Sequence, residues 1–217
     1  MMRAVPPAGV NSSHDLYYPN KMVRIVLLAL EEVMGRNGVN AALNLAGLRH
    51  LVNNYPPNNF DRQVTFDEIG AIMRALDDMY GPRGGRGIAL RAGRAAFKYG
   101  IKEFGPILGI ADLAFRLLPL NMKLKVGADI FAEAFNRFSD QRVHIIDEEE
   151  RIVWQNHTCP MCAGRKSETP CCHLAVGILQ ESLFWVSGGK HFEVTQTTCR
   201  AMGDEICTFL LDKKPMD

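Results

Sequence analysis

All six cysteines of this 217-residue chain lie between positions 159 and 207. They read Cys159-Pro160-Met161-Cys162, then Cys171-Cys172, then Cys199 and Cys207, a spacing of C-x2-C, C-C and C-x7-C. Thiols gathered this way in the last quarter of a chain constrain its fold, because the segments that carry them are expected to meet. A C-x2-C pair on a tight turn aims two sulfurs at one point, which suits tetrahedral zinc or a cluster iron. Pro160 stiffens that turn, and Gly164 stands where a knuckle often needs positive φ.

The other cysteines fall on regular elements. Cys171-Cys172 follows Pro170 and opens a helical pattern from His173 to Val186, where the helix dipole favours a thiolate. His191 to Thr198 is β-branched and alternating, Gly203-Asp204 marks a turn, and Cys207 to Leu211 resumes the strand pattern. Cys199 and Cys207 are therefore expected on adjacent antiparallel strands near a hairpin end. Such thiols can serve a metal site, a disulfide-based redox switch, or plain core packing. The metal reading leads, and four thiolates suit zinc and an iron–sulfur cluster alike. Structural disulfides of a secreted protein are not expected. Met1-Met2-Arg3-Ala4-Val5-Pro6-Pro7 lacks the apolar run of a signal peptide, and a chain this long buries a core without staples. A cytoplasmic setting, where thiols stay reduced, is the expectation.

Residues 1–17 read as an N-terminal arm, 18–141 as a helical half and 142–213 as a β-β-α-β-β half, together one domain. Asn20 is a candidate N-cap for a helix through Met34, with Gly35 as its stop and a short helix from Val39 to Leu45 beyond. A further short helix is expected from Leu48 to Asn53. Thr65-Phe66-Asp67-Glu68 is a capping box for a helix to about Tyr80. Gly81-Pro82-Arg83-Gly84-Gly85-Arg86-Gly87 reads as a helix–helix connection, since it lacks the Lys-Ser/Thr of a phosphate loop and follows no strand. Helices are then expected over Ile88–Phe104, Ile107–Leu118 and Pro119–Phe138. Gly93 and Gly100 permit close approach of a helix or a ligand. Arg142–Asp147 and Arg151–Asn156 read as two strands. The fold class is α+β, with N-terminal helices packed on a small four-stranded antiparallel sheet. Trp185 and Phe184 read as core, His144 as solvent-facing, and Glu181 as a carboxylate without a partner. His157 and His173 stand close enough to thiolates to be considered as ligands, though a supporting or surface role is the leading one. A net charge of +1 gives no argument for nucleic acid, and no apolar run approaches the length of a membrane span.

Taken together, Tyr18-Pro19-Asn20 at a helix start, the Gly-Arg-Gly turn, the hairpin ending near Trp154, the Cys-x-x-Cys knuckle, the Cys-Cys-His helix and Phe192-Glu193-Val194…Cys199…Met202-Gly203-Asp204…Cys207 resemble the vinyl-4-reductase (4VR) domain family. The resemblance spans roughly residues 15–213 and is strongest from 142 onward. That family includes a protein tied to bacteriochlorophyll synthesis, input domains of phenol-sensing transcription activators and redox regulators of methanogens, and its fold is similar to the TRAPP core subunits. It implies an often dimeric α+β domain that binds a small apolar molecule between helices and sheet. In the phenol sensors a zinc sits beside that pocket on cysteines and one acidic residue. Carried over, the cysteine ligands fall on Cys199, Cys207 and one of Cys171 or Cys172, while the acidic ligand falls near Gln196, which is not acidic. Cys159 and Cys162 are positioned to supply the missing thiolates. A tryptophan contacting ligand in those sensors makes Trp154 a candidate pocket residue.

The expected function is therefore a cytoplasmic binding, sensor or carrier domain for a small hydrophobic molecule. It would hold a structural metal, zinc, among Cys159, Cys162, Cys171, Cys172, Cys199 and Cys207. Its candidate pocket residues are Trp154, Gly93, Phe131 and Phe135. No catalytic residues are assigned, since no nicotinamide or flavin motif and no acid/base pair suited to reducing a vinyl group is visible. The alternatives are a 4Fe-4S or thiol-based redox sensor or oxidoreductase, and a TRAPP-like homodimeric assembly protein. No nucleic-acid partner and no membrane span are expected.

Overall fold

The computed structural model describes residues 15–108 and 117–216. The expected arm therefore lies almost wholly outside the described residues, as does most of the helix expected over Ile107–Leu118. A short strand β1 (Tyr17–Pro19) leads into α1 (Asn20–Leu45), which breaks at Gly35, where φ is 73°. That break separates the two helices the sequence implied. Asn20 does not cap α1. It is the first helical residue, Pro19 occupies the cap position, and the Asn20 amide donates instead to Asn59 at 2.9 Å and Gln63 at 2.8 Å. The helix expected from Leu48 to Asn53 shrinks to a single 3-10 turn, Arg49–Leu51. Strand β2 (Arg62–Thr65) pairs antiparallel with β1, a small second sheet with no alternating pattern long enough to announce it.

The capping box forms as its chemistry requires. Glu68 accepts from the Thr65 backbone N–H at 2.7 Å, and the Glu68 N–H donates to the Thr65 hydroxyl at 3.2 Å. It opens α2 (Phe66–Leu108), broken once at Gly81 with φ 70°. The helix–helix connection read from the glycine-rich stretch is therefore reduced to the single residue Gly81. Pro82 takes a first-turn position, where its missing N–H costs nothing, and Gly84 to Gly87 are already helical. Helix α3 (Leu120–Phe138) follows.

The C-terminal half runs β3 (Val143–Asp147), β4 (Arg151–Asn156), α4 (His173–Ser187), β5 (Val194–Thr198) and β6 (Cys207–Asp212). Its four strands form one antiparallel sheet in the order β3-β4-β6-β5. Pairing of Ile152 with Leu211, Trp154 with Phe209 and Asn156 with Cys207 places these buried residues along the sheet's inner face. Helix α4 ends in a left-handed Gly188, with the Gly189 N–H returning to the Phe184 carbonyl at 2.8 Å.

The most intimate packing is α4 on α2. A Cβ on Gly93 would lie 2.2 Å from the Leu174 carbonyl oxygen, and one on Gly177 would lie 2.2 Å from that of Leu90. The two glycines let the backbones touch. The core otherwise joins α1, α2, α3, α4 and the inner sheet face in one cluster. Trp185 is not core: it is 40% exposed at the helix surface, its ring 6.3 Å from that of Phe97. Glu181 does have a partner, Lys98 at 3.5 Å. No helix among the described residues is long and apolar enough to cross a membrane.

Candidate metal centre and apolar cavity

The six cysteines meet. The C-x2-C pair sits on the 3-10 turn Pro160–Cys162, which follows β4, and Gly164 after it takes φ 62°. Cys171 and Cys172 precede α4, Cys199 follows β5, and Cys207 begins β6. All six are buried and none is in a disulfide. Cys159, Cys162, Cys172 and Cys207 hold their Sγ atoms within 4.8 Å of one another. The pairs Cys159–Cys172, Cys162–Cys207 and Cys172–Cys207 are 3.6, 3.4 and 3.9 Å apart. A tetrahedron with zinc–sulfur arms of about 2.3 Å has edges of about 3.8 Å. The donor set therefore has the chemistry and spacing of a four-thiolate ion site.

The polar groups around these sulfurs hold the loops rather than join the donor set. Gln196, where the phenol-sensor pattern has an acid, accepts from the Cys172 N–H at 3.0 Å. Asp204 accepts from the Cys199 N–H at 2.8 Å. Arg165 donates to the carbonyls of Met161 and Cys171 at 3.1 and 3.2 Å and pairs with Asp77 at 2.6 Å, tying the knuckle to α2. Close contact of Gly70 with the knuckle does the same, since a Cβ there would lie 1.9 Å from the Ala163 carbonyl oxygen. His157 is exposed, His173 is half-buried, and neither belongs to a converging donor group among the described residues. Burial, with Arg86 and Arg165 adding to it, pushes the His173 imidazole down to about 4 and keeps it neutral.

Without a counter-charge the thiols cannot all ionise. Hydrogen bonds from Cys162, Cys171, Cys172 and Cys207 hold Cys199 far below the usual thiol range. Cys172, donating to Cys159, Cys162, Cys171 and Cys199 and buried as well, rises well above it. A bound cation removes that conflict by stabilising every thiolate it touches.

Further along α4, against Ile178, Leu179 and Ser182, lies a cavity of about 90 Å³. Its walls come from α1 (Met22, Ile25, Val26), α2 (Ala96, Phe97, Phe104), α3 (Phe131, Phe135), α4 (Ile178, Leu179, Ser182), β4 (Trp154) and β1 (Tyr18). The hydroxyls on it are already engaged: Tyr18 donates to Gln141 at 2.7 Å and Ser182 to the Leu179 carbonyl at 2.8 Å. Burial raises the Tyr18 phenol well above its usual value, so it stays protonated. Of the sequence-derived pocket residues, Trp154, Phe131 and Phe135 line this space, and the Phe135 and Trp154 rings meet edge to face at 6.0 Å. Gly93 does not line it, because Gly93 lies against α4. Sequence reasoning missed the α1 wall, whose Met22, Ile25 and Val26 look like any apolar helix face.

Residues 152–213 match the family model for the vinyl-4-reductase domain. No curated protein matches the chain by sequence. Among solved structures, a Cs H-NOX mutant carrying 4-cyano-L-phenylalanine is 14% identical with a TM-score of 0.57, covering 91% of this chain and 98% of that one. The Fe(II) unliganded H-NOX protein from K. algicida is 11% identical with a TM-score of 0.56, covering 89% and 95%. An H-NOX protein from S. oneidensis in the Fe(II)NO state is 12% identical with a TM-score of 0.54, covering 89% and 99%. At such identities the likeness is one of fold. Residues 152–213 are thus similar to the vinyl-4-reductase domain, within an overall fold similar to that of H-NOX proteins.

Proposed function

We propose that this protein is a small-molecule sensor or carrier domain in which a cysteine-bound zinc ion stiffens one wall of an apolar ligand cavity. The observation that carries this reading is the sharing of α4. Cys171 and Cys172 lie at its N-terminal end, and Ile178, Leu179 and Ser182 in its middle face the cavity. Zinc bound by Cys159, Cys162, Cys172 and Cys207 would lock the knuckle, α4 and β6 together, so a change at either place would move the same helix. The sulfur spacing favours a single-ion site over a 4Fe-4S cubane, which spreads its four cysteines over separate irons and needs them further apart. The domain would comprise the helical half and the β-β-α-β-β half as one unit, in the cytoplasm. A homodimer is the expected assembly.

One structure of similar fold is described in terms of haem redox potential and protein-induced porphyrin distortion, so haem is the first ligand to weigh against this cavity. The residues do not fit it. Among the described residues no histidine or cysteine lines the space, and the Tyr18 hydroxyl is committed to Gln141. A volume of about 90 Å³ is also far below the roughly 300–1,000 Å³ of pockets for drug-sized ligands. A compact apolar molecule, on the scale of a single aromatic ring, suits the lining better.

The test is metal analysis and a visible spectrum on protein purified without oxygen, with native mass spectrometry for a cavity occupant. Zinc and a colourless protein support the proposal. Iron with sulfide and a broad absorbance in the visible region would replace it with a cluster-based redox function. Absence of metal with reversibly oxidised thiols would replace it with a disulfide switch.

A further inference from the structure

Four sulfurs complete one tetrahedral ion site, which leaves Cys171 and Cys199. These two are not scattered. With Cys172 they form a second group whose Sγ atoms all lie within 4.8 Å of one another. Cys199 is 3.7 Å from Cys172 and 3.9 Å from Cys171, again the edge length of a zinc–thiolate tetrahedron. Cys172 belongs to both groups and is 0% exposed. A thiolate sulfur has lone pairs enough for two metal ions at once.

We propose that the chain holds two soft divalent cations, zinc in the first place, bridged by the Cys172 thiolate. One ion is closed by Cys159, Cys162 and Cys207. The other is held by Cys171 and Cys199 and keeps its fourth position for water or a small anionic donor. The inference rests on the zinc reading above and extends it.

Three observations support this arrangement. First, no histidine, aspartate or glutamate among the described residues joins the Cys171–Cys172–Cys199 group. The nearby polar side chains are occupied, Gln196 by the Cys172 N–H and Asp204 by the Cys199 N–H. An incomplete set of three protein ligands is the form that exchangeable zinc positions take. Second, with only the first ion bound, Cys171 and Cys199 would be two buried thiols pressed against a metal-bound thiolate. A second cation turns that crowding into coordination. Third, six thiolates and two dications leave an excess negative charge, and cationic residues stand on both sides of the centre. The Arg200 backbone N–H donates to Cys207 Sγ at 3.3 Å, while its guanidinium donates to the His157 carbonyl. Arg165 holds the Cys171 carbonyl at 3.2 Å.

The experiment is elemental analysis of the full chain purified anaerobically, followed by exchange with cobalt(II) and electron paramagnetic resonance during the titration. About two zinc ions per chain are expected, with Cys171→Ser reducing the content by half. On cobalt loading, the high-spin signal should grow with the first equivalent and then fall as the second couples to it through the shared sulfur. One zinc per chain, unchanged in Cys171→Ser, would overturn the second position while leaving the single-zinc reading intact. Two ions whose cobalt spins stay independent would overturn the bridge. Iron with sulfide, or no metal, would overturn both this proposal and the reading beneath it. If Cys171→Ser fails to fold, the stoichiometry and cobalt signal of the unaltered protein still decide.

Discussion

The sulfur centre and the apolar cavity lie along one helix and are built by opposite means. The centre draws on four short segments within about 50 residues of sequence, and its donors point at shared positions. The cavity draws on six elements from Tyr18 to Ser182, with no charged side chain among the described residues of its wall. Removing one donor from the centre would leave a bound ion short of a ligand. Removing one wall residue from the cavity enlarges a space that was already there. The first region specifies geometry, and the second tolerates change in what fills it.

The largest effect should come from Cys207→Ser. Binding free energy at such sites is folding free energy, so the change should release metal and lower stability by more than about 4 kcal/mol. Thermal melts with and without a chelator measure it, and an unchanged melting temperature with full metal content would remove the centre from the account. Next comes Trp154→Ala, expected to cost about 3–5 kcal/mol as a buried large-to-small change. Metal content should stay at the value of the unaltered protein while binding of a small aromatic probe changes. Loss of metal in that variant would mean that the two regions are one. Gly93→Ala should cost about 1–3 kcal/mol, because its Cβ has no room against the Leu174 carbonyl and α4 must shift. A shift of α4 should alter both probe binding and the cobalt spectrum, and a change in only one would sharpen the separation.

The smallest effect is expected at the Lys21–Glu103 ion pair, on the outer side of the cavity wall beside Met22 and Phe104. The hydrogen bond from Lys21 at 2.9 Å, supported by Asn58, lowers the Glu103 carboxyl below its usual value. Such a contribution is present above the ordinary carboxylate range and is lost as pH falls through the lowered value. Glu103→Gln should therefore remove less than about 1 kcal/mol at neutral pH and flatten that acid limb, read from urea melts at several pH values.

The C-terminal half was legible because its signals are local. Alternation from Val143 to Asn156, the Gly203-Asp204 turn and the C-x2-C knuckle each depend on neighbours in sequence, and all three formed. The capping box at Thr65 did as well. Misreadings came where tertiary packing outweighed local preference. Gly84 to Gly87 read as a turn, yet the chain bends at Gly81 alone and the helix resumes from Pro82, with Gly85 directly against Asp77 of the segment before the bend. Asn20 read as a cap, yet its amide is drawn to Asn59 and Gln63 by the β1–β2 pairing. Trp185 read as core because its helix is apolar on nearly every side, and hydrophobicity alone does not say which face is covered.

The sequence by itself determined that thiols would gather, that helices would precede a four-stranded sheet, and that a half resembling the vinyl-4-reductase domain would close the chain, because spacing, capping and alternation are properties of near neighbours. Only the tertiary structure decided which sulfurs share a position, that Cys172 stands between two groups, and that α1 walls the cavity. Those are distances between segments far apart in the chain, set by how α4 lies on α2 through Gly93 and Gly177, and no local pattern encodes them.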